Sequence, residues 1–330
     1  MMHKRPDVSI LLPTHDRAET LRGTLESMTR LRCDGMDLRV VVIANGCTDH
    51  TDEVAAAFED RLPLQYLREA AAGKSAALNR ALDECEIGEI VVFVDDDVFV
   101  RDDWLERVVA SCERWPDYRV FGGKIELVWP SGSVPGWARN GEVQYWAFGL
   151  HDQGPTDRAY PYKNYPGGAN YWVRRGALEH GTRFDTAVGP RPTRYKVMGT
   201  ETSFLHELAL AGEGIMYVAD AIVDHVVQPH LLQVPNIKSR AFRWGKGMPH
   251  RGLCHPQLFA RSPLAWRLLR LSSLARHLLR YGTSLVDPRY DRRIARQLQI
   301  LTCLGYDLES LRLASAVDSL QPNEARRTGS

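Results

Sequence analysis

Three short runs of continuous apolar residues punctuate the first hundred positions: VSILL at 8–12, LRVVVIA at 38–44 and EIVVFV at 89–94. Runs rich in Val and Ile, without polar alternation, predict strands buried on both faces of a parallel sheet. Between and after them the apolar residues recur at helical spacing, in RAETLRGTLESMTRL (17–31), DHTDEVAAAFEDRL (49–62), KSAALNRALDE (74–84) and RDDWLERVVASCERW (101–115). Thr48 and Asp49 suit the N-cap of the second helix, and Asp102 or Asp103 the first turn of the fourth. Alternating strands and helices predict an α/β domain, a Rossmann-like and mostly parallel sheet flanked by helices. Ligands of such sheets bind beyond the carboxyl ends of the strands. Each run here ends in polar residues, PTHDR, NGCTD and DDD, so three polar strand ends are expected to meet in one crevice.

Over residues 130–170 the pattern gives way to Gly, Pro and aromatic residues with no clear period. An aperiodic stretch of that length, rich in rings, reads as a binding loop. Beyond it RRGALEHG predicts a helical turn, 186–199 an irregular stretch, ETSFLHELALAG a helix, and IMYVA and AIVDHVV two short strands. The domain so outlined covers 1–230. Residues 231–330 are expected to form a basic, mostly helical extension whose end, QPNEARRTGS, frays.

Composition is that of an ordinary soluble globular protein, with 44% hydrophobic and 25% charged residues. The net charge of +1 conceals an asymmetry: 231–330 holds 17 Lys/Arg against 6 Asp/Glu, and 1–230 holds 25 against 35. Within the basic part, SPLAWRLLRLSSLARHLLRYG sets Leu and Trp among four arginines. Such a helix suits an anionic membrane surface through 262–281, or equally packs on its own domain with its arginines in water. No stretch approaches the roughly 20 apolar residues of a membrane span, and the first residues have too short an apolar core for a signal peptide. Six scattered cysteines (33, 47, 85, 112, 254 and 303) without metal spacing read as reduced thiols. These features predict a cytoplasmic protein, with the inner face of the membrane as the surface it would meet, and none points to nucleic acid.

Asp95, Asp96 and Asp97 close an apolar run, and buried carboxylates need a partner or a metal. They fit a solvated turn capping the next helix, a divalent-cation site, an aspartyl nucleophile, or a nucleotide-sugar site combining metal and ribose. PTHDR, ANGCTDHT, GKSAALN, the aspartates, GGANYWVRRGALEHGTRFD and MGTETSFLHELALAGEGIMYVADAIVDHVV follow one another in fixed order. That ordered set, spanning residues 7–230, resembles the family 2 glycosyltransferases, which have the GT-A fold and use nucleotide-sugar donors.

The resemblance implies a metal-dependent, inverting transfer of one sugar, with UDP-sugar the family-level expectation for the donor. A hydroxyl of a glycan, lipid-linked or small-molecule acceptor would receive it. Pro13, Thr14, Arg17 and Asn45 would line the nucleotide pocket, with Ala44 standing where the family often has Asp. Lys74 would meet the diphosphate, and Leu78 replaces an Arg of many members. Asp97 would bind Mn²⁺ or Mg²⁺, Asp95 or Asp96 would serve the ribose, and His225 matches a His that completes the metal site in some members. Glu201 occupies the position of the general base, although helix capping is its plainer use. Gly168, Asn170 and Trp172 would border the transferred sugar or acceptor, core packing being the commoner fate of such a ring. Arg243, in RAFRWGKG, would reach the diphosphate or else sit on a solvated helix face. A catalytically silent GT-A domain, serving as a sugar-nucleotide sensor or membrane-associated scaffold, is the alternative from another class.

Overall fold

Val8, Ile10 and Leu12 point to one side of the first strand and Leu11 to the other, and all four are fully buried. Burial on both faces follows from the central place of this strand, β1 (Asp7–Thr14), which lies parallel to β2 (Asp37–Asn45) and to β4 (Ile90–Phe93). β3 (Leu64–Glu69) pairs parallel with β2. The other strands are β5 (Val98–Val100), β6 (Val120–Val128), β7 (Arg158–Ala159), β8 (Tyr171–Arg174) and β9 (Ile215–Val226). The sheet runs β3-β2-β1-β4-β8-β6-β9-β5, with β7 on β9. β8 is antiparallel to both neighbours, so a parallel half, built from the three predicted strands and from β3, which the sequence pattern did not signal, continues into a mixed half. The structure, a computed structural model, describes residues 5–70, 73–189, 197–251 and 263–320.

Period-two alternation divides the core into two layers. On the Ile10 side α1 (Ala18–Met28), α2 (Thr51–Ala56) and α4 (Trp104–Arg114) bring Leu21, Leu25, Val54, Trp104 and Val108 against the sheet. On the Leu11 side α3 (Lys74–Glu84) and α6 (Thr200–Leu210) bring Ala77, Leu78, Phe204 and Leu205. Each such side chain removed from water contributes about 1.5–3 kcal/mol. Leu78 lies wholly in this core.

The stretch expected to be irregular contains α5 (Gly141–Phe148), a single 3-10 turn at Gly136–Arg139 and the short β7. The two short strands expected after α6 are one strand, β9. Its pairing with β6 jumps from Gly123↔Val218 to Lys124↔Ile222, leaving residues 219–221 outside the ladder. The groups so displaced find side-chain partners: Ala219 N–H donates to Asp157 (2.9 Å), and Ala221 C=O accepts from Asn170 Nδ2 (2.9 Å).

His151 pairs with Ile125 through the backbone, and its Nε2 lies 2.6 Å from the Tyr160 hydroxyl. Burial pushes its pKa down to about 4, so the folded protein holds it neutral. An unfolded chain binds that proton from about pH 6.5 downward, and stability therefore falls as pH drops from 6.5 to 4. Denaturant titrations should show the wild type losing about 3 kcal/mol relative to His151→Gln across that window. Parallel curves for the two proteins would disprove the assignment.

Contacts divide the chain into two units: the described residues within 1–132, 148–196 and 200–228, and those within 133–147, 197–199 and 229–330. The first holds the sheet. The second contains α7 (Val234–Gly247), α8 (Pro263–Ser284) and α9 (Tyr290–Leu320). α7 and α9 cross with backbones nearly touching: a Cβ on Gly245 would lie 1.9 Å from Thr302 O, and one on Gly305 2.2 Å from Phe242 O. Buried carboxylates tie this unit further, Asp307 to Arg270 (3.1 Å) and His277 (3.0 Å), Glu309 to His250 (2.8 Å) and Arg312 (2.8 Å). Among the described residues no helix is long and apolar enough to cross a membrane, and Cys33, Cys47, Cys85, Cys112 and Cys303 are free thiols. Cys254, residue 262 of the basic helix, residues 190–196 of the irregular stretch and the tail at 321–330 lie outside the described residues.

Candidate active site

The three aspartates lie where the chain leaves β4 and crosses to β5, and each meets a different partner. Asp95 accepts from Lys74 Nζ. Asp96 accepts from Thr14 Oγ1 (2.7 Å) and from Arg17, while its backbone C=O accepts from Thr24 Oγ1 (2.8 Å). Asp97 lies 3.1 Å from His225 Nε2 through one oxygen and 3.1 Å from Arg17 Nη2 through the other. The register of β5 on β9, Val98 opposite His225, sets that imidazole beside Asp97, and Val226 N–H donates to Asp97 C=O (2.8 Å).

Lys74 begins α3 directly after Gly73, whose φ of +140° favours glycine. Asn45 Oδ1 accepts from Gly73 N–H (2.6 Å), so the end of β2 fixes the start of the lysine helix. The Lys74 ammonium bridges Asp95 and Glu201. Glu201 sits in the first turn of α6, where a carboxylate is favoured by the helix dipole. Gly168 makes room for it: a Cβ there would stand 2.7 Å from Glu201 Cγ.

Burial separates the titrations. It pushes the Asp96 carboxyl up to about 6 against the pull of Arg17, and it raises Asp95 against the pull of Lys74. Burial acts on Asp97 too, but His225 and Arg17 outweigh it and hold that carboxyl below the ordinary carboxylate range. Desolvation opposes the charge on Lys74, and the Asp95 and Glu201 carboxylates overcome it, holding the ammonium above its usual pKa. Four carboxyl groups, Asp95, Asp96, Asp97 and Glu201, thus share two basic side chains, Arg17 and Lys74. The excess of carboxyl groups, with an oxygen and an imidazole nitrogen converging at Asp97 and His225, fits a divalent cation of the Mn²⁺ or Mg²⁺ kind.

Another group of ligand-type atoms gathers at Asp16, Cys47 and Asp49, within 4.8 Å of one another. Its carboxylates are engaged with backbone: Asp16 accepts from Thr48 N–H (2.6 Å) and Asp49 N–H (3.3 Å), and Asp49 from Ala18 N–H (3.0 Å). This clasp joins the turns after β1 and β2 and so positions Arg17.

Residues 9–146 match the family model described as Glycosyl transferase family 2. Over that stretch this chain carries a glycosyltransferase family 2 domain. It is 25% identical to glycosyltransferase AglE of Haloferax volcanii over 245 residues, covering 73% of each protein. Succinoglycan biosynthesis protein ExoM of Rhizobium meliloti is 26% identical over 247 residues, covering 72% of this chain and 73% of that one. Among solved structures, mannosyltransferase PcManGT of Pyrobaculum calidifontis, in complex with GDP-Man and Mn²⁺, superposes with a TM-score of 0.53 at 20% identity, over 96% of this chain and 88% of that one. TarS of S. aureus (residues 1–349) in complex with UDP superposes with a TM-score of 0.52 at 15% identity, over 92% and 91%. Both likenesses concern the fold, which is the α/β, GT-A-like architecture with a helical C-terminal region.

In this glycosyltransferase the matched stretch contains Pro13, Thr14, Arg17, Asn45, Lys74 and the aspartates. Glu201 and His225 lie beyond it, and the fold brings them to the same place. Pro13 is buried in β1 opposite Ile43. Two residues expected at the sugar are placed elsewhere. Asn170 is fully buried, donating to Lys124 C=O and Ala221 C=O and accepting from Trp104 Nε1 (3.1 Å), so its amide closes the β9 bulge. Trp172 is fully buried and stacks on Phe121, with ring centroids 5.7 Å apart. β8 explains both: a strand paired on each side buries both of its faces. Arg243 belongs to the second unit, on α7, where burial lowers its pKa. The sequence reading missed Thr24 and the Asp16–Asp49 clasp. Only the spacing of PTHDR and NGCTD, two strand ends one after the other, hinted that the turns would touch.

Proposed function

We propose that this glycosyltransferase moves one sugar from a nucleoside-diphosphate donor to an acceptor hydroxyl with inversion at the anomeric carbon. The observation that carries the reading is the bridge Glu201–Lys74–Asp95, which sets a carboxylate base beside the aspartates at the strand ends. Glu201 would take the proton from the acceptor hydroxyl as its oxygen attacks the anomeric carbon and the bond to the diphosphate breaks. Inversion in one step requires no covalent intermediate. Lys74 would turn from the carboxylates to the diphosphate, where the start of α3 also favours anions. Asp97 and His225 would hold the divalent cation, which supplies charge for the leaving diphosphate. Asp96, with both oxygens engaged and a side chain 5% exposed, acts as a strut between β1 and the site. Asp95, 29% exposed, is the carboxylate open to a ribose hydroxyl.

The donor is a nucleotide sugar of the UDP or GDP class, and the acceptor a glycan or lipid-linked glycan. Support comes from the bound nucleotides of the two similar folds and from the succinoglycan biosynthesis relative. Melting curves with Mn²⁺ and a panel of nucleoside diphosphates test this, because only a ligand of the native state stabilises it. One diphosphate at a hundredfold excess over its Kd should stabilise by about 2.7 kcal/mol. Failure of every nucleotide, with metal present, would refute the donor class.

A further inference from the structure

α8 turns its polar face inward and its apolar face outward. Arg270 and His277 point to Asp307 of α9, and Trp266 is buried. On the opposite side Leu264, Leu268, Leu271, Leu278 and Leu279 are each at least half exposed. At 100° per residue these five fall within an arc of about 100°, with Ala275 and Gly282 between them. Leu285 and Val286, also exposed, extend the apolar surface past the helix end. Contiguous exposed leucines on this scale mark an interaction surface rather than ordinary scatter.

The charge pattern selects the partner. Residues 263–286 hold four arginines and no acidic residue. Arg276 and Arg280 are exposed along one flank of the leucine arc, and neither forms an ion pair among the described residues. A second copy of the same face would set arginines against arginines with no carboxylate to offset them. A bilayer of anionic lipid satisfies both features, acyl chains receiving the leucines and headgroups the guanidinium groups. We propose that α8 docks this protein in the plane of an anionic membrane surface. The docking is independent of which sugar or acceptor the active site takes.

Flotation of the full-length protein with vesicles tests it, using phosphatidylcholine alone and equal parts of phosphatidylcholine and phosphatidylglycerol. The wild type should float with the anionic vesicles and only weakly with the neutral ones. Leu268→Gln/Leu279→Gln should lower the partition coefficient on anionic vesicles by about tenfold or more. Arg276→Gln/Arg280→Gln should do the same there and change nothing on neutral vesicles. Far-ultraviolet circular dichroism and melting should match the wild type, since the replaced side chains are exposed. Three results would overturn the proposal: a wild type that floats with neither vesicle, a leucine variant that floats like the wild type, or a lipid-free dimer that the leucine variant dissociates.

Discussion

Glu201→Gln is expected to lower the rate of sugar transfer by about 10²–10⁴-fold, the range attached to losing a positioned general base. The amide keeps the size and the place of the side chain at the start of α6 but cannot accept the acceptor's proton. Donor affinity should hold or improve. Lys74 is shared between Asp95 and Glu201 in the free protein, and a neutral residue at 201 releases part of its charge for the diphosphate. Single-turnover transfer together with calorimetric titration of the donor separates the two effects. Unchanged transfer, with donor bound as in the wild type, would transfer the base role away from Glu201. A wild type that binds donor and transfers nothing would instead favour the silent sugar-nucleotide-binding domain.

Asp97→Asn should remove the response to Mn²⁺, lowering transfer by about 10²–10⁴-fold, as several kcal/mol of charge stabilisation at the leaving group disappear. His225 and Arg17 keep the Asp97 carboxyl below its ordinary pKa, so the wild-type group stays ionised throughout the range in which the fold is tested. The metal response of the wild type should therefore not titrate out on mild acidification through this residue. In the variant, Mn²⁺ should no longer raise the melting temperature in the presence of nucleoside diphosphate. Asp96→Asn offers the contrast. Its carboxyl ties Thr14 to Arg17, so its loss should lower the melting temperature while a metal-induced shift persists. A variant at 97 that still responds to Mn²⁺ would move the cation to other ligands.

Three strands of the parallel half were legible because β1, β2 and β4 are buried on both faces, which shows in the sequence as short, Val/Ile-rich runs closed by polar residues. The mixed half was not. β6 carries Gly122 and Gly123 at its centre, where a Cβ would meet Pro166 and Asn170, and glycines erase the apolar signal of a strand. β9 reads as two strands because residues 219–221 loop out of the ladder, and only the partners Asp157 and Asn170 show that the strand continues. Asp95, Asp97, Lys74, Glu201 and His225 were recognisable by their order along the chain, and the fold does gather them. Asn170 and Trp172 share that motif order, yet no sequence period distinguishes a strand residue facing a cavity from one plugging a bulge. The division of labour among the aspartates was equally hidden, since it depends on Thr14, Arg17 and Thr24, which approach from another strand and another helix.

The pairing of β5 with the end of β9 has a consequence for the newborn chain. Val98–Val100 waits for residues 223–225, and until they are synthesised nothing secures Asp97 beside an imidazole. The first three parallel strands and β4 can associate much earlier, since their partners are near in sequence and their loops are cheap to close. A ribosome-bound intermediate would thus carry the aspartates on a preformed half-sheet without the histidine or the glutamate that complete the site. Chemistry is available only after the most distant strand pairing in the domain has formed.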